Sequence, residues 1–432
     1  MFNKSIIVLA AGAGTRMKSD TPKVLHKISG KPMLYYSIKE ALKLSDDITV
    51  VLFHQAQRVQ SEMEKYFSNI NFVIQDHLNY PGTGGAVMNI TPKYSKVLVL
   101  NGDMPLIQSR ELEKFDIDAT IVMSVLELDS ADGYGRVIIE SGNVKKIVEQ
   151  KDANENELKV TTANAGIYQF ETNFLLENLP KLNNNNAQKE YYITDLVEMA
   201  IDQGKVLKPL AVNVENFKGV NSKVELADAE VIHQNRIKKD FMKEGVIMRL
   251  PDTIYIEEGV QIEGESIIEN GVSLLGNSKI INSHIKTNSV VEDSIVKDSD
   301  VGPMARIRPL SELNKTHIGN FVETKKAILN GVKAGHLSYL GDCSIDEGTN
   351  IGCGTITCNY DGVNKHQTII GKNVFVGSDT QFVAPVNIAD DVLIGAGSCV
   401  TGDVKKGELY LTRAKAKTID GYFYKHFSSK KK

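Results

Sequence analysis

The sequence predicts an α/β domain, then one long helix, then a β-helix. Three observations carry that prediction. Short apolar runs alternate with helix-like segments through the first half of the chain. Apolar residues step by three and four through 222–244. Near the end, Ile370, Val376, Phe382, Ile388, Ile394 and Val400 fall six residues apart, and Val374, Thr380, Val386, Val392, Ser398 and Val404 follow each by four. A helix repeats at 3.6 residues and a strand at 2, so neither gives six. Short strands with a turn every six residues do, and they stack as a coil.

Residues 1–221 form the first domain. The runs 6–9, 48–53, 72–74 and 97–100 read as strands, and 33–44 and 59–67 as helices, which together predict a largely parallel sheet. Asn183 to Asn186 reads as an exposed loop. Residues 222–245 are the helix: Ser222 and Glu225 fit a capping box, and Gly245 fits the stop. Leu226, Ala229, His233, Ile237 and Phe241 share one face. Such a helix either holds two domains apart or packs on the first as its last element. Residues 246–432 carry the six-residue signal. Ile295, Val301 and Ile307 share one register, and Ile345, Ile351 and Thr357 another. Each shift of register implies an inserted loop, near 308–317 and 358–368, and loops on a rigid repeat are natural functional positions.

Composition excludes several classes. The net charge of −4 gives no support for a nucleic-acid partner, and no apolar run approaches the ~18 residues of a membrane span. The apolar run 6–11 is too short for a signal peptide and is followed by Arg16 and Lys18. Lys430, Lys431 and Lys432 read as a solvated end. Cys343, Cys353, Cys358 and Cys399 lack a C-x-x-C pair, so they read as reduced, small apolar residues of a cytoplasmic protein rather than as a zinc site.

The chemistry begins with Leu9-Ala10-Ala11-Gly12-Ala13-Gly14-Thr15-Arg16, directly after the first strand. A small-residue turn lets backbone N–H groups approach a phosphate. Met17 stands where a Rossmann fingerprint needs glycine, and no G-K-[ST] follows as in a Walker A loop. Pro22-Lys23 adds a cation. Asn101-Gly102-Asp103 places a carboxylate at a strand's carboxyl end, where a magnesium ion could sit beside phosphates.

L-A-A-G-x-G-T-R-M followed by P-K is the signature of sugar-phosphate nucleotidyltransferases. From end to end the chain resembles the bifunctional N-acetylglucosamine-1-phosphate uridyltransferase/glucosamine-1-phosphate acetyltransferases. That resemblance implies a Rossmann-like nucleotidyltransferase domain and a left-handed parallel β-helix of hexapeptide repeats. It implies that Leu9, Ala10, Ala11, Gly12, Lys23, Gln75, Gly82, Thr83, Asn101 and Asp103 hold UTP, with Arg16 and Lys23 catalytic beside the phosphates. Asp103 and Asn221 match the Mg²⁺ ligands. Gly135, Glu149, Asn164 and Asn221 match residues that hold N-acetylglucosamine. The family usually has tyrosine where Asn101 stands, and the segment 75–82 is longer here.

The second half carries Gly335-His336-Leu337-Ser338-Tyr339-Leu340-Gly341 and Ile356-Thr357-Cys358-Asn359-Tyr360-Asp361-Gly362, which match the acetyltransferase half of that family. His336 matches its general base, and an imidazole suits removal of a proton from an ammonium near neutrality. Arg308, Lys325, Tyr339, Asn350 and Lys365 match glucosamine-phosphate ligands. Cys353, Asn359, Tyr360, Ser378, Ala396 and Arg413 match acetyl-CoA contacts, with Cys353 where alanine is common. The resemblance also implies a homotrimer. Two rival readings are a single-activity nucleotidyltransferase with a coil used only for assembly, and a non-catalytic nucleotide-sugar-binding subunit. Retention of His336, Asn359-Tyr360 and Lys365 argues against the first, and of Lys23, Asp103 and Asn221 against the second.

Overall fold

The structure is a computed structural model and describes residues 3–12, 14–132, 134–148, 153–186 and 188–427. It divides into two compact units, Met1–Gln234 and Asn235–Lys432.

In the first unit, strand Lys4–Ala10 is central. It pairs in parallel with Ile48–Leu52 on one side and Lys96–Asn101 on the other, and Asn71–Ile74 extends the sheet in the same sense. These are the apolar runs read from the sequence, and Ile48–Leu52 is buried along its whole length. Thr162–Glu171 enters antiparallel between Lys96–Asn101 and Ile121–Glu127, and Leu207–Val212 closes the edge in parallel. Helix Met33–Leu42 covers one face, with Leu34 and Ile38 fully buried. The helix expected over 59–67 instead spans Ala56–Met63, and Val59 and Met63 are its buried residues. The parallel arrangement matters for chemistry, because it brings the carboxyl ends of Lys4–Ala10, Ile48–Leu52, Asn71–Ile74 and Lys96–Asn101 to one edge.

The long helix spans Lys223–Lys243. Ser222 Oγ accepts from the Glu225 N–H at 3.2 Å, and Glu225 returns a carboxylate to the Asn221 N–H at 2.8 Å. Gly245 has φ 101°, which ends it. Leu226, Ala229 and Ile232 pack with Ile28, Met33, Tyr36 and Leu106 in the first unit. Ile237 and Phe241 pack with the core of the second. The helix therefore has one anchor in each unit.

The second unit is a left-handed parallel β-helix with three faces. One face is a sheet of ten short strands, and the other two belong to a sheet of fifteen joined through the corner-turning strands Glu323–Asn330 and Tyr339–Ile345. Each coil pairs in register with the next, as Arg306, Glu323 and Tyr339 do. All twelve residues of the two ladders between 370 and 404 are buried. The polar ones are satisfied locally: Thr380 Oγ1 donates to the Gly377 carbonyl at 2.7 Å, and Ser398 Oγ to that of Gly395 at 2.5 Å.

Two expectations fail in the earlier coils. The inward residue is Val296, at 0 % exposure, while Ile295 faces outward. Inward positions then run Val296, Val301, Ile307, Leu313, Ile318 and Thr324, in steps of five or six. The shift of register near 308–317 is thus a shortened rung. Arg306–Arg308 and Glu312–Asn314 are separated by a plain corner with Leu310 at φ 64°. A real insertion stands between Ile356–Cys358 and Thr368–Ile370.

All four cysteines are free. Burial pushes the Cys343 thiol up to about 12, which leaves it inert. Among the described residues no helix is long and apolar enough to cross a membrane.

Phe382 fills the coil with no exposed surface. Phe382→Ala is expected to destabilise the second unit by about 3–5 kcal/mol. Chemical denaturation measures this, and a loss below about 1 kcal/mol would contradict the rung packing.

Candidate active sites

The glycine loop of the first unit shapes a cavity of about 470 Å³ at the carboxyl edge of the sheet. A Cβ on Gly12 would meet no protein atom within 4 Å, so that glycine keeps space clear for something other than protein. Gly14 has a different duty. It adopts φ 63°, and a Cβ there would lie 2.5 Å from Lys23 Cβ, so only glycine lets Lys23 fold over the loop.

Lys23 donates to Asp103 Oδ2 and, at 3.0 Å, to Asn221 Oδ1. Arg16 Nη2 donates to the same Asn221 oxygen at 2.9 Å. Backbone bonds hold this cluster together. Gly102 N–H donates to the Leu9 carbonyl at 2.8 Å, and Val220 N–H to that of Asp103 at 2.9 Å. Asn221 is in turn fixed by Glu225, through the helix cap. Two hard oxygen donors from distant parts of the chain thus converge on one cation, the Lys23 ammonium. The donor set fits Mg²⁺, which takes one or two protein oxygens and completes its shell with water and phosphate.

All ten residues assigned above to UTP line this cavity. Both hydrogens of the Gln75 amide are committed, to the carbonyls of Tyr80 at 2.8 Å and Gly82 at 3.0 Å. That fixes the amide's orientation and leaves Oε1 as its remaining acceptor. Gly82 has φ 90°, and a Cβ on it would lie 2.6 Å from the Tyr191 carbonyl oxygen. Asn101 donates to the Gly166 carbonyl at 3.2 Å, linking the cavity to the bulge in Thr162–Glu171. On that bulge Asn164 donates to Tyr168 Oη at 2.6 Å, and its backbone N–H to Gly135 O at 3.1 Å. Glu149 lies outside the described residues. The cavity is also lined by Val24, Phe53, His77, Ala86 and Glu190, which sequence reasoning missed. No motif marks Glu190. His77 sits within the lengthened 75–82 segment, the one signal that pointed near it.

In the second unit, the coil stacks Arg308, Lys325 and Gly341 in register on one face. Lys365 reaches the same place from the inserted loop: the neighbouring charges of Lys365 and Arg308 push the Lys325 ammonium below its usual value. Among the described residues, Arg308 alone of these cations has an ion-pair carboxylate, Glu323 at 2.6 Å. Crowded cations with little neutralisation form a site for an anion such as a phosphate. Tyr339 lies against Gly341, where a Cβ would be 2.4 Å from its hydroxyl oxygen, and Asn359 donates to that oxygen at 3.5 Å and to Asp342.

His336 ends the strand Lys333–His336 on the adjoining face. It is exposed, and its ring has no hydrogen-bond partner among the described residues. Three strand residues, roughly 10 Å of backbone, separate its corner from the corner near Lys325. Asn350 is in register with Lys333 on His336's face. Along the corner after that face, glycines let successive turns touch. A Cβ on Gly352 would lie 2.6 Å from Ser378 N, one on Gly377 2.4 Å from Ala396 N, and one on Gly395 3.5 Å from Arg413 Nη2. Cys353, Ser378, Ala396 and Arg413 therefore follow one column of the coil. Tyr360 is 59 % exposed on the inserted loop.

The inserted loop is braced by Asp361, which accepts from the Val363 N–H at 2.8 Å, the Asn364 N–H at 2.6 Å and His366 Nε2 at 2.7 Å. The Asn364 bond leads in holding its carboxyl down from 3.8 to about 2. The folded value lies below the unfolded one, so the brace is complete above about pH 3.8 and is lost as pH falls through 2. Asp361→Ala is expected to weaken binding of inorganic phosphate at the Lys325 and Lys365 cluster on the order of tenfold. Calorimetric titration reads this; unchanged affinity in the variant would show that the loop needs no brace.

Residues 6–115 match the MobA-like NTP transferase domain. The whole chain is 90 % identical over 432 residues to the bifunctional protein GlmU of Aliarcobacter butzleri, covering 100 % of both chains. It is 62 % identical over 431 residues to that of Wolinella succinogenes, again covering 100 % of both. With that of Campylobacter lari it shares 53 % over 424 residues, covering 98 % of this chain and 99 % of the relative.

Proposed function

The chain belongs to the GlmU family of bifunctional proteins, and on that premise we propose how its two chemistries are divided. The protein is a bifunctional transferase of UDP-N-acetylglucosamine synthesis. The coil of 246–432 acetylates glucosamine-1-phosphate from acetyl-CoA. The domain of 1–221 then transfers UMP from UTP to N-acetylglucosamine-1-phosphate and releases pyrophosphate. Residues 222–245 are the helix between them. One observation carries the assignment of the first domain: a single cavity lined by the glycine loop, Lys23, Gln75, Gly82 and Asp103.

In that cavity Gln75 Oε1 accepts the imide N–H of uracil. Cytosine presents an acceptor at that edge and meets an unpaired oxygen instead. The triphosphate lies along the N–H groups of the 9–12 loop and is met by Lys23 and Arg16. Asn164 and Gly135 hold the acetylated sugar beside Asn101, and Glu149 and Asn221 complete that set. A phosphate nucleophile is ionised at pH 7, so its oxygen bonds to the α-phosphorus without a base as the bond to the bridging oxygen of pyrophosphate breaks. Alignment and charge neutralisation are what the chain supplies. Asp103 and Asn221 would hold a Mg²⁺ ion, which would supply further neutralisation of phosphate charge.

In the coil, Arg308, Lys325 and Lys365 hold the phosphate of glucosamine-1-phosphate, and Tyr339 and Asn350 orient the sugar. His336 removes a proton from the ammonium. The amine nitrogen then bonds to the thioester carbon, and the thiolate of CoA leaves, taking a proton. Acetyl-CoA lies along Cys353, Asn359, Tyr360, Ser378, Ala396 and Arg413.

A homotrimer suits the second unit. Residues 411–427 are exposed throughout, including Leu411, Ile419, Tyr422, Phe423 and Tyr424. Apolar surface of that extent calls for cover by a neighbouring copy, and closed cyclic symmetry provides it. The protein works in the cytoplasm, where its nucleotide and thioester substrates are made.

Incubation with glucosamine-1-phosphate, acetyl-CoA, UTP and Mg²⁺ is expected to yield UDP-N-acetylglucosamine, and none without acetyl-CoA. Asp103→Ala is expected to lower pyrophosphate release roughly 10²- to 10³-fold while CoA release persists. His336→Ala is expected to lower CoA release by about 10²- to 10⁴-fold while pyrophosphate release from added N-acetylglucosamine-1-phosphate persists. Joint loss in either variant would overturn the division.

A further inference from the structure

One wall of the nucleotide cavity is aromatic. Phe53 follows strand Ile48–Leu52 at the sheet edge that carries the glycine loop, and its ring is 41 % exposed. The His77 ring lies over it, with centroids 4.3 Å apart and planes 22° apart. Both rings line the cavity with Gln75, Gly82 and Thr83. A stacked aromatic pair left open beside a binding cavity offers a flat, polarisable surface to a planar ligand.

The loop that presents His77 is braced from within. The Gln75 amide closes its base on Tyr80 and Gly82. Tyr80 N–H donates to the Asp76 carbonyl at 2.8 Å, and the Asp76 carboxylate accepts from Asn79 Nδ2 at 2.7 Å. His77 N–H donates to the Gln75 carbonyl at 2.9 Å. The same six-residue stretch that lengthens the loop therefore sets a ring against Phe53. The His77 ring itself has no hydrogen-bond partner among the described residues, so stacking is what orients it.

The phosphate-binding groups stand together. Lys23 and the backbone of the 9–12 loop line the cavity with Asp103. Glu190 lines the cavity near Gly82, its Cβ lying 2.8 Å from where a Cβ on that glycine would stand. A triphosphate belongs with the cations, which leaves the base for the side of Gln75, Phe53 and His77.

We propose that Phe53 and His77 form the stacking platform for the pyrimidine ring of the nucleotide. Base recognition then has two parts: Gln75 reads the imide edge, and the aromatic pair carries the ring face. This rests on the reading of the cavity as a uridine-nucleotide site.

The test compares Phe53→Ala, His77→Ala, His77→Phe and Gln75→Ala in the full-length protein. UTP affinity is measured by calorimetry with Mg²⁺, and kcat and KM for UTP by pyrophosphate release. Melting temperature confirms folding, and CoA release serves as an internal control. Phe53→Ala and His77→Ala are expected to weaken UTP roughly 5- to 150-fold, mainly through KM. His77→Phe is expected to keep affinity within a few-fold of the parent. Affinity within twofold of the parent in both alanine variants, while Gln75→Ala weakens UTP, would overturn the platform alone. A loss in His77→Phe as large as in His77→Ala would overturn stacking in favour of a hydrogen bond from the ring. Unchanged affinity in all four, Gln75→Ala included, would overturn the uridine reading itself.

Discussion

Parallel strand pairing in register is the constraint on which both units depend. In the first unit it makes four strands end at one edge, so the loops after them converge however far apart they lie in sequence. Gly12, Phe53, Gln75 and Asp103 share one cavity for that reason. In the second unit the same pairing stacks equivalent positions of successive coils. Arg308 and Lys325 become neighbours because each occupies the same place on its rung. A slip of one residue would turn every such side chain to the other face.

The two units handle charge differently. Lys23 and Arg16 are held by Asp103 and Asn221, so the cations of the first site already have oxygen partners. In the coil, Lys325 and Lys365 crowd each other, and their mutual repulsion pushes the Lys325 ammonium below its usual value.

Glycines do distinct work in the two sites. In the first, Gly14 and Gly82 permit close approach of Lys23 and of the Tyr191 carbonyl. In the coil, Gly352, Gly377 and Gly395 remove side chains where adjacent turns meet, leaving a column of bare backbone beside the His336 face. A methyl group at any of these would push apart the elements that carry the reacting residues.

Much of this was legible in one dimension. The ladder from Ile370 to Val404 reads correctly because its rungs are uniform in length, so inward residues recur at a fixed interval. The glycine loop and the His336 and Asn359 motifs are local strings, and local strings survive in sequence. Five-residue rungs break the period earlier in the coil, which makes Ile295 read as the inward residue in place of Val296 and a shortened rung read as an inserted loop. Glu190, Phe53 and the joint hold of Asp103 and Asn221 on Lys23 were invisible, because each pairs residues from distant segments. The sequence alone determined the α/β, helix and coil order and which residue types could do the chemistry, since periodicity and turn chemistry act between near neighbours. Folding decided which of those residues meet, because register, strand order and the crossing of loops at a sheet edge act between parts of the chain that composition cannot connect.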